Sequence, residues 1–270
     1  MTVLKLGLVQ THLYWEDPEA NRQHFEPKLA ALAKSDLIVL PEMFSTGFSM
    51  DSGSHAESMT AETVIWLQKQ SEILGTGICG SVMIKENGQF YNRFLMFSPD
   101  QAPVQYDKRH LFRMADEHKH FTAGEEQIVF ELKGVRICPQ ICYDLRFPVF
   151  SRNHFNNNPI YNKSDDKRTD YDLLLFVANW PAKRQHHWRT LLTARAIENQ
   201  AFVVGLNRIG NDGNQVEYCG DSGLVHPDGE WLIDLKNADT ASIVELDLAN
   251  LADYRQAFPA WQDADNFTLN

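Results

Sequence analysis

The sequence predicts a mixed-sheet α/β protein with helices covering the sheets, and three observations carry that prediction. Continuous apolar runs of strand length, such as "LIVL" and "LLLFV", alternate with segments whose apolar residues recur at helical spacing. Turn signals at Asn87-Gly88 and in "HPDGE" sit between apolar runs and mark hairpins that interrupt this alternation. The chain has 270 residues, 43% hydrophobic and 23% charged, which suffices for a sizeable core. No internal repeat and no shift in composition marks a boundary, so residues 1–270 are read as one domain.

The elements follow in order. "VLKLGLVQT" (3–11) is an apolar run of strand character, and residues 20–35 place Phe25, Leu29 and Leu32 on one helical face, with Pro27 near the start. "DLIVLPEM" (36–43) is a central strand stopped by proline, whose end delivers Glu42. Residues 61–75 form an amphipathic helix, and residues 77–101 form a hairpin turning at Asn87-Gly88. A strand over 134–144 carries Cys138 and Cys142; a strand (172–180), a helix (187–200), a strand (201–210) and a closing hairpin around 226–230 complete the chain. The stretch 151–170, "SRNHFNNNPIYNKSDDKRTD", is rich in Asn, Asp and Lys and too polar to pack, so it reads as a surface excursion placed where it could cover a site.

Composition excludes some functions. A formal charge of −11 argues against sequence-independent nucleic-acid binding, which needs a clustered basic surface. The N-terminal apolar run is broken at once by polar residues, and no apolar stretch approaches the ~20 residues of a spanning helix. The expectation is a cytoplasmic protein with no membrane partner. Four cysteines, Cys79, Cys138, Cys142 and Cys219, are few for this length and are expected as free thiols.

Three reactive side chains stand at the ends of predicted strands or in the turns after them: Glu42 after "LIVLP", Lys108 in "YDKRHLF", and Cys142 after "VRICPQI". Strand ends supply sites in open α/β sheets, so these groups can converge. The set is chemically coherent, because a thiol needs a base to take its proton and a carbonyl adduct needs a positive or donor group near its oxygen. Singly, each has a plainer role: a strand cysteine packs in a core, a glutamate after proline caps, a loop lysine is solvated. In one strand Cys138 and Cys142 would share a face roughly 13 Å apart, too far to share a metal, and "CPQIC" lacks zinc-knuckle spacing. The histidines of "EHKH" (117–120) and "QHHW" (185–188) read as a hydrated loop and a pocket-lining or helix-capping pair, so no metal is expected.

"LPEMF", "YDKRHLF" and "ICYDLRFP", in this order and spacing, resemble the three signature segments of the nitrilase superfamily of carbon–nitrogen hydrolases. "EHKHFTAGE", "VANWP" with the helix after it, and "GDSGLVHPDGE" extend the likeness from about residue 4 to residue 248. The resemblance implies a four-layer αββα sandwich that commonly docks as a homodimer, and a catalytic set without a cofactor. Residue by residue it implies Glu42 as general base, Lys108 as catalytic lysine, Cys142 as nucleophile and Glu117 as second glutamate, with Asp116 as the alternative to Glu117. Cys138 is then the buried thiol. Lys108 and the backbone N–H of Tyr143 would stabilise the oxyanion formed on the way to a thioester.

The whole pattern is most similar to the bacterial ω-amidase branch, which implies a small-molecule substrate, the terminal amide of 2-oxoglutaramate or a related α-keto acid. The lack of a fused synthetase and of membrane spans sets aside the ammonia-supplying and acyltransferase branches. The alternatives are an N-carbamoyl-β-amino acid amidohydrolase, a deaminated glutathione amidase, a histidine-based metal hydrolase, and a catalytically silent dimeric binding protein. For the substrate carboxylate Arg184 is favoured over Lys183 and Arg146, the last being assigned a structural ion pair; Phe44, Trp180 and Trp188 are assigned to apolar walls.

Overall fold

A computed structural model of the protein describes residues 3–154 and 169–265. The first half runs β1 (Val3–Gln10), α1 (Pro18–Ala31), β2 (Leu37–Val39), α2 (Ser52–His55), α3 (Glu62–Leu74), β3 (Gly77–Glu86), β4 (Gln89–Ser98), β5 (Gln101–Asp107) and α4 (Glu117–His120). The second half runs β6 (Phe130–Leu132), β7 (Val135–Ile141), β8 (Leu173–Ala178), α5 (Gln185–Asn199), β9 (Phe202–Asn207), β10 (Ile209–Asn211), β11 (Glu217–Cys219), β12 (Gly223–Val225), β13 (Trp231–Asp234), β14 (Thr240–Asp247) and α6 (Leu248–Ala257).

Two six-stranded sheets result, in the orders β14-β1-β2-β3-β4-β5 and β13-β12-β9-β8-β7-β6, with β10 and β11 as a separate ribbon. Each sheet has a parallel centre, β1-β2-β3 in one and β7-β8-β9 in the other, flanked by antiparallel strands. Alternation along the strands sorts their side chains into layers. Leu4, Leu6, Leu8, Leu37, Val39, Cys79, Phe94 and Met96 of the first sheet share one core with Ile137, Cys138 and the β8 and β9 residues of the second. Their neighbours Val9, Ile38, Leu40, Ile78, Leu95 and Phe97 face the other way, onto Phe25, Leu29 and Leu32 of α1 and Val64 and Leu67 of α3. Trp188, Leu192 and Ala196 bring α5 onto the outer face of the second sheet, which gives the αββα layering. No helix among the described residues is long and apolar enough to cross a membrane.

Local chemistry explains the boundaries. The Asp17 side chain accepts from Ala20 N–H at 3.0 Å and Pro18 occupies the first turn of α1, where its missing N–H costs nothing. Pro27 lies well inside α1 rather than near its start, so the helix continues past the hydrogen bond that the ring removes. α3 ends on Gly75 at φ 64°. Asn87 and Gly88, at φ 51° and 78°, form the two-residue turn of the β3–β4 hairpin as predicted.

Several elements differ from the sequence reading. "QAPVQYD" lacks alternation because β5 is the edge of its sheet, where Pro103 is tolerated. β14 pairs with β1 along eight residues, yet buries only Val244 and Leu246, too weak a pattern to read as a strand. Within 151–170, residues 155–168 lie outside the described residues, but the two ends are packed, contrary to the reading of the whole stretch as a surface excursion. Ser151, Asn153 and Thr169 are buried, and Asn153 Nδ2 donates to the carbonyls of Tyr171 (2.9 Å) and Asn199 (3.2 Å). Hydrogen bonds, rather than apolar contact, offset the burial of these polar residues.

A Cβ at Gly205 would stand 2.5 Å from Leu192 Cδ1 and 2.8 Å from Trp188 Cζ2, so α5 sits directly on the bare backbone of β9. Gly205→Ala should cost about 1–3 kcal/mol by overpacking, read as a lower urea midpoint. An unchanged midpoint would mean that α5 is free to move outward.

Candidate active site

β2 ends at Pro41, and the chain turns sharply so that Glu42 points into the space between the sheets. Met43, at φ 43°, makes the turn, and its N–H donates to Ser81 Oγ at 2.8 Å. From the other sheet, the Asn179 N–H donates to Glu42 Oε2 at 2.8 Å and Asn179 Nδ2 donates to the Glu42 carbonyl at 2.6 Å. Glu42 is thus fixed by backbone and side chain across the two sheets and is fully buried.

Lys108 follows the last residue of β5. Its backbone N–H donates to the Asn92 carbonyl at 3.0 Å and its carbonyl accepts from Gly124 at 2.9 Å. A side chain at Gly124 would strike the Asp107 carbonyl, with a Cβ only 2.1 Å away, so the close approach of these two loops requires glycine. Lys108 Nζ donates to Glu42 Oε1 at 2.8 Å and to Glu117 Oε1 and Oε2 at 2.9 and 3.0 Å. Glu117 opens α4 and is further held by the Phe112 N–H at 2.5 Å. Asp116, the alternative, is left-handed at φ 57° and pairs on the surface with Lys119, so Glu117 is the residue brought to Lys108. Asn92 Nδ2 donates to Glu42 Oε1 (2.8 Å) and Glu117 Oε1 (3.3 Å), and its Oδ1 is fixed by Ser81.

Cys142 is not on the strand with Cys138 but on the turn that follows β7, at φ 47°. A non-glycine residue in that conformation is strained, and the neighbours hold it there. Asp144, fully buried, accepts from Ile141 N–H (3.0 Å) and the Tyr106 hydroxyl (2.8 Å) through one oxygen. Its other oxygen accepts from His110 N–H (2.9 Å) and lies 2.8 Å from His110 Nδ1. One carboxylate therefore fastens the Cys142 turn to the loop that carries Lys108. The Cys142 Sγ lies 3.8 Å from the Asn179 carbonyl, with 8% of the residue exposed.

The electrostatics follow from burial and charge. Burial pulls Lys108 toward its neutral form, but Glu117, Glu42 and Cys142 outweigh it, so the ammonium is held above its ordinary value. Burial and the nearby Glu42 raise Glu117 against the pull of Lys108. Burial first, then the negative charges of Glu42 and Glu117, push the Cys142 thiol well above its usual range, and Lys108 only partly offsets this. Cys138, also buried, is pushed up to about 12 and makes only a 3.7 Å contact from Gln140 Nε2.

Cys142 opens into a cavity of about 370 Å³ lined by Tyr143, Trp180 and Arg184, as the sequence reading had them, together with Phe48, Phe112 and Arg146. Phe44 and Trp188 are not wall residues. Phe44 turns to the helix side and packs edge-on against Phe25 (ring centroids 5.6 Å apart), because the left-handed turn at Met43 breaks the alternation that would have put it on the face of Glu42. Trp188 lies behind Trp180, 5.4 Å away, with its indole N–H on the Asp221 carbonyl. Phe48, missed in the sequence, stands with its ring centre 5.1 Å from Lys108 Nζ and takes the place assigned to Phe44. Arg146 forms no ion pair with any carboxylate among the described residues; it lies over the Trp180 ring at 4.7 Å and faces the cavity. His186 and His187 sit in the first turn of α5 and His118 and His120 in α4, and among the described residues neither group belongs to a cluster of three metal-type ligands. Asn92, Asp144 and Asn179 were also missed as site residues. Asp144 and Asn179 stand inside quoted motifs, but only their partners reveal their roles.

The model of the carbon–nitrogen hydrolase family matches residues 5–256. Omega-amidase YafV of Escherichia coli (strain K12) is 47% identical over the whole of both chains. The 2-oxoglutaramate amidase of Bacillus subtilis (strain 168) is 34% identical over 85% of each. Among solved structures, a CN-hydrolase superfamily protein of Xanthomonas campestris with an arsenic adduct in its active site superposes with a TM-score of 0.95 at 44% identity, covering both chains fully. Saccharomyces cerevisiae Nit3, at 22% identity and 96% and 95% coverage, shares the fold with a TM-score of 0.80.

Replacing Lys108 with methionine leaves two buried carboxylates without their cation, and the loss expected is about 3–5 kcal/mol in urea denaturation. Adding Glu117→Gln to Lys108→Met should restore part of that loss; an unimproved double variant would mean that the carboxylates were not the source of the strain. Because the Cys142 thiol is raised, its alkylation by iodoacetamide should keep accelerating with pH beyond the ordinary thiol range. A plateau near neutrality would show a resting thiolate instead.

Proposed function

The chain belongs to the carbon–nitrogen hydrolase family, and from that premise we propose that it is an ω-amidase that converts 2-oxoglutaramate, or a similar α-keto acid ω-amide such as 2-oxosuccinamate, to the dicarboxylate and ammonia. The observation that supports this activity most directly is a lysine held between two buried glutamates and facing a thiol at the floor of a small-molecule pocket. Full-length identity of 47% to a protein named as an omega-amidase agrees with it.

Glu42 takes the thiol proton as the Cys142 sulfur forms a bond to the amide carbon, and the carbonyl electron pair moves onto oxygen. Lys108, kept protonated by its carboxylate neighbours, faces that developing charge together with the Tyr143 backbone N–H. A lysine so firmly protonated serves as a fixed positive charge rather than a proton donor. Glu42 then gives its proton to the amide nitrogen as the C–N bond breaks, releasing ammonia and leaving an acyl thioester on Cys142. Water, losing a proton to Glu42, attacks the thioester; the carboxylic acid departs and the sulfur recovers the proton. Glu117 keeps Lys108 in place and charged, and Asn92, donating to both glutamates, holds them in fixed positions around it.

We also take the whole chain to be a single catalytic domain that works as a homodimer in the cytoplasm. Light scattering at working concentration should then give twice the mass of one chain.

Cys142→Ala should reduce ammonia release from 2-oxoglutaramate to background, and Glu117→Gln should lower kcat by about a hundredfold or more through loss of the ordered cation. Acid-quenched enzyme should carry the acyl mass on Cys142. Hydrolysis of β-ureido acids or of deaminated glutathione in preference to 2-oxoglutaramate would move the protein to another activity of the family.

A further inference from the structure

β10 and β11 join neither large sheet, and a ribbon of two three-residue strands has little stability of its own. The ribbon and its turn nevertheless contribute Asn214, Val216 and Tyr218 to the lining of the cavity at Cys142. Phe48 and Met50, in the loop after β2, contribute another part of that lining. Behind both segments stand two side chains that the amide chemistry does not use, Arg208 and Trp15.

Arg208 links β9 to β10 and is fully buried, within ion-pair distance of no carboxylate among the described residues. Its Nε donates to the Ile209 carbonyl at 3.2 Å, and its Nη2 donates to the carbonyls of Asn211 (2.9 Å) and Leu13 (3.3 Å). The guanidinium lies over the Tyr218 ring at 4.7 Å, and the Tyr218 hydroxyl donates to Asp212 at 2.9 Å. One cation thus ties both strands of the ribbon to the loop after β1. Burial presses it below the ordinary guanidinium range, opposed by Tyr218 and Asp212. Apolar packing would serve stability as well, so the arrangement is better explained by the geometry it fixes.

Trp15 belongs to the same loop as Leu13. A Cβ at Gly213 would stand 2.5 Å from its Cδ1 and Nε1, and a Cβ at Gly47, which is at φ 73°, would stand 3.2 Å from its Cε3 and 3.5 Å from Arg208 Nη1. The indole is therefore wedged between the turn of the ribbon and the turn just before Phe48. Two further bonds fasten its loop to the second of these turns: the Glu16 N–H donates to the Thr46 carbonyl at 2.8 Å, and Asn21 Nδ2 bridges the carbonyls of Tyr14 and Ser45, each at 2.7 Å.

From these contacts we propose that Arg208 is a positioning residue for the pocket: through the loop that carries Trp15 as a spacer, it holds the β10–β11 ribbon at a fixed distance from the Phe48 loop and so limits how bulky a group can reach Cys142. The inference goes beyond the amide chemistry and rests on the amidase reading only where a substrate is used.

The test alkylates Cys142 with iodoacetamide and with iodoacetanilide, which carries the same reactive carbon behind a phenyl ring. The ratio of the two rates removes any change in thiol ionisation. Arg208→Met should raise the relative rate of the bulky reagent at least about threefold, and Gly213→Ala, which spreads the ribbon from Trp15 and leaves Arg208 in place, should raise it in the same direction. Arg208→Lys, whose ammonium cannot lie flat on the Tyr218 ring and meet the three carbonyls together, should fall between wild type and Arg208→Met. With 2-oxoglutaramate, KM should rise at least about fivefold in Arg208→Met while kcat changes by less than about threefold. A lowered urea midpoint with the wild-type alkylation ratio in these variants would show a merely structural role and overturn the inference. Should Arg208→Met fail to fold, the ratios of Gly213→Ala and Arg208→Lys decide it. A wild type that releases no ammonia from the amide would remove the amidase reading, and the alkylation ratios would still decide the role of Arg208.

Discussion

A single ammonium shared by two buried carboxylates is the constraint on which the rest of the site depends. Lys108, Glu42 and Glu117 are all fully buried, so each charge has lost its water and must be compensated by the others. Two carboxylates and one cation leave an excess negative charge, and the Asn92 amide, the Phe112 N–H and the Asn179 N–H supply the donors that spread it. Every donor comes from a different element, so the cluster closes only when both sheets are in place. The same excess charge keeps the neighbouring sulfur protonated until it is needed, because a second anion there would be opposed by burial and by two carboxylates.

The sandwich provides the rigidity that such a cluster demands. β2 ends beside β8, so Glu42 and Asn179 meet across the interlayer space, and the core behind them is continuous from Leu6 in one sheet to Leu175 in the other. Tight glycine packing at Gly124 and the fourfold acceptor Asp144 set the two loops that flank the cluster. Strain is then stored at Met43 and Cys142, two left-handed residues beside the site. Packing elsewhere sustains it, since neither turn has glycine to relieve it.

The pocket mixes apolar and charged walls. Cys142 shares its lining with the aromatic residues Phe48, Phe112, Tyr143 and Trp180 and with two guanidinium groups, Arg146 and Arg184, on an otherwise acidic protein. Confinement between such walls is what holds a carbonyl near a nucleophile long enough to react.

Much of this was legible in the chain because strand-end chemistry is written locally: an apolar run, a proline, and Glu42; a strand, a turn, and Cys142. The mixed α/β alternation, the Asn87-Gly88 hairpin and the main helices also followed from period and turn residues, which depend on near neighbours alone. What failed did so where partners decide. Edge strands β5 and β14 have half-exposed sequences whose pairing supplies their regularity, and the ends of the 151–170 stretch are buried because Asn153 finds distant carbonyls. Phe44 and Phe48 have the same side chain and nearly the same position, yet the turn at Met43 sends one into the helix layer and the other over Lys108. Arg146 could be placed in the turn after Cys142 from the sequence, but only the absence of a nearby carboxylate, a fact of three dimensions, changes it from a structural cation to an open one. The sequence by itself determined which reactive groups stand at strand ends, since backbone period and turn chemistry are short-range; the tertiary structure alone decided which charges are shared and which left unpaired, since Coulomb energy and desolvation depend on distances between elements far apart in the chain.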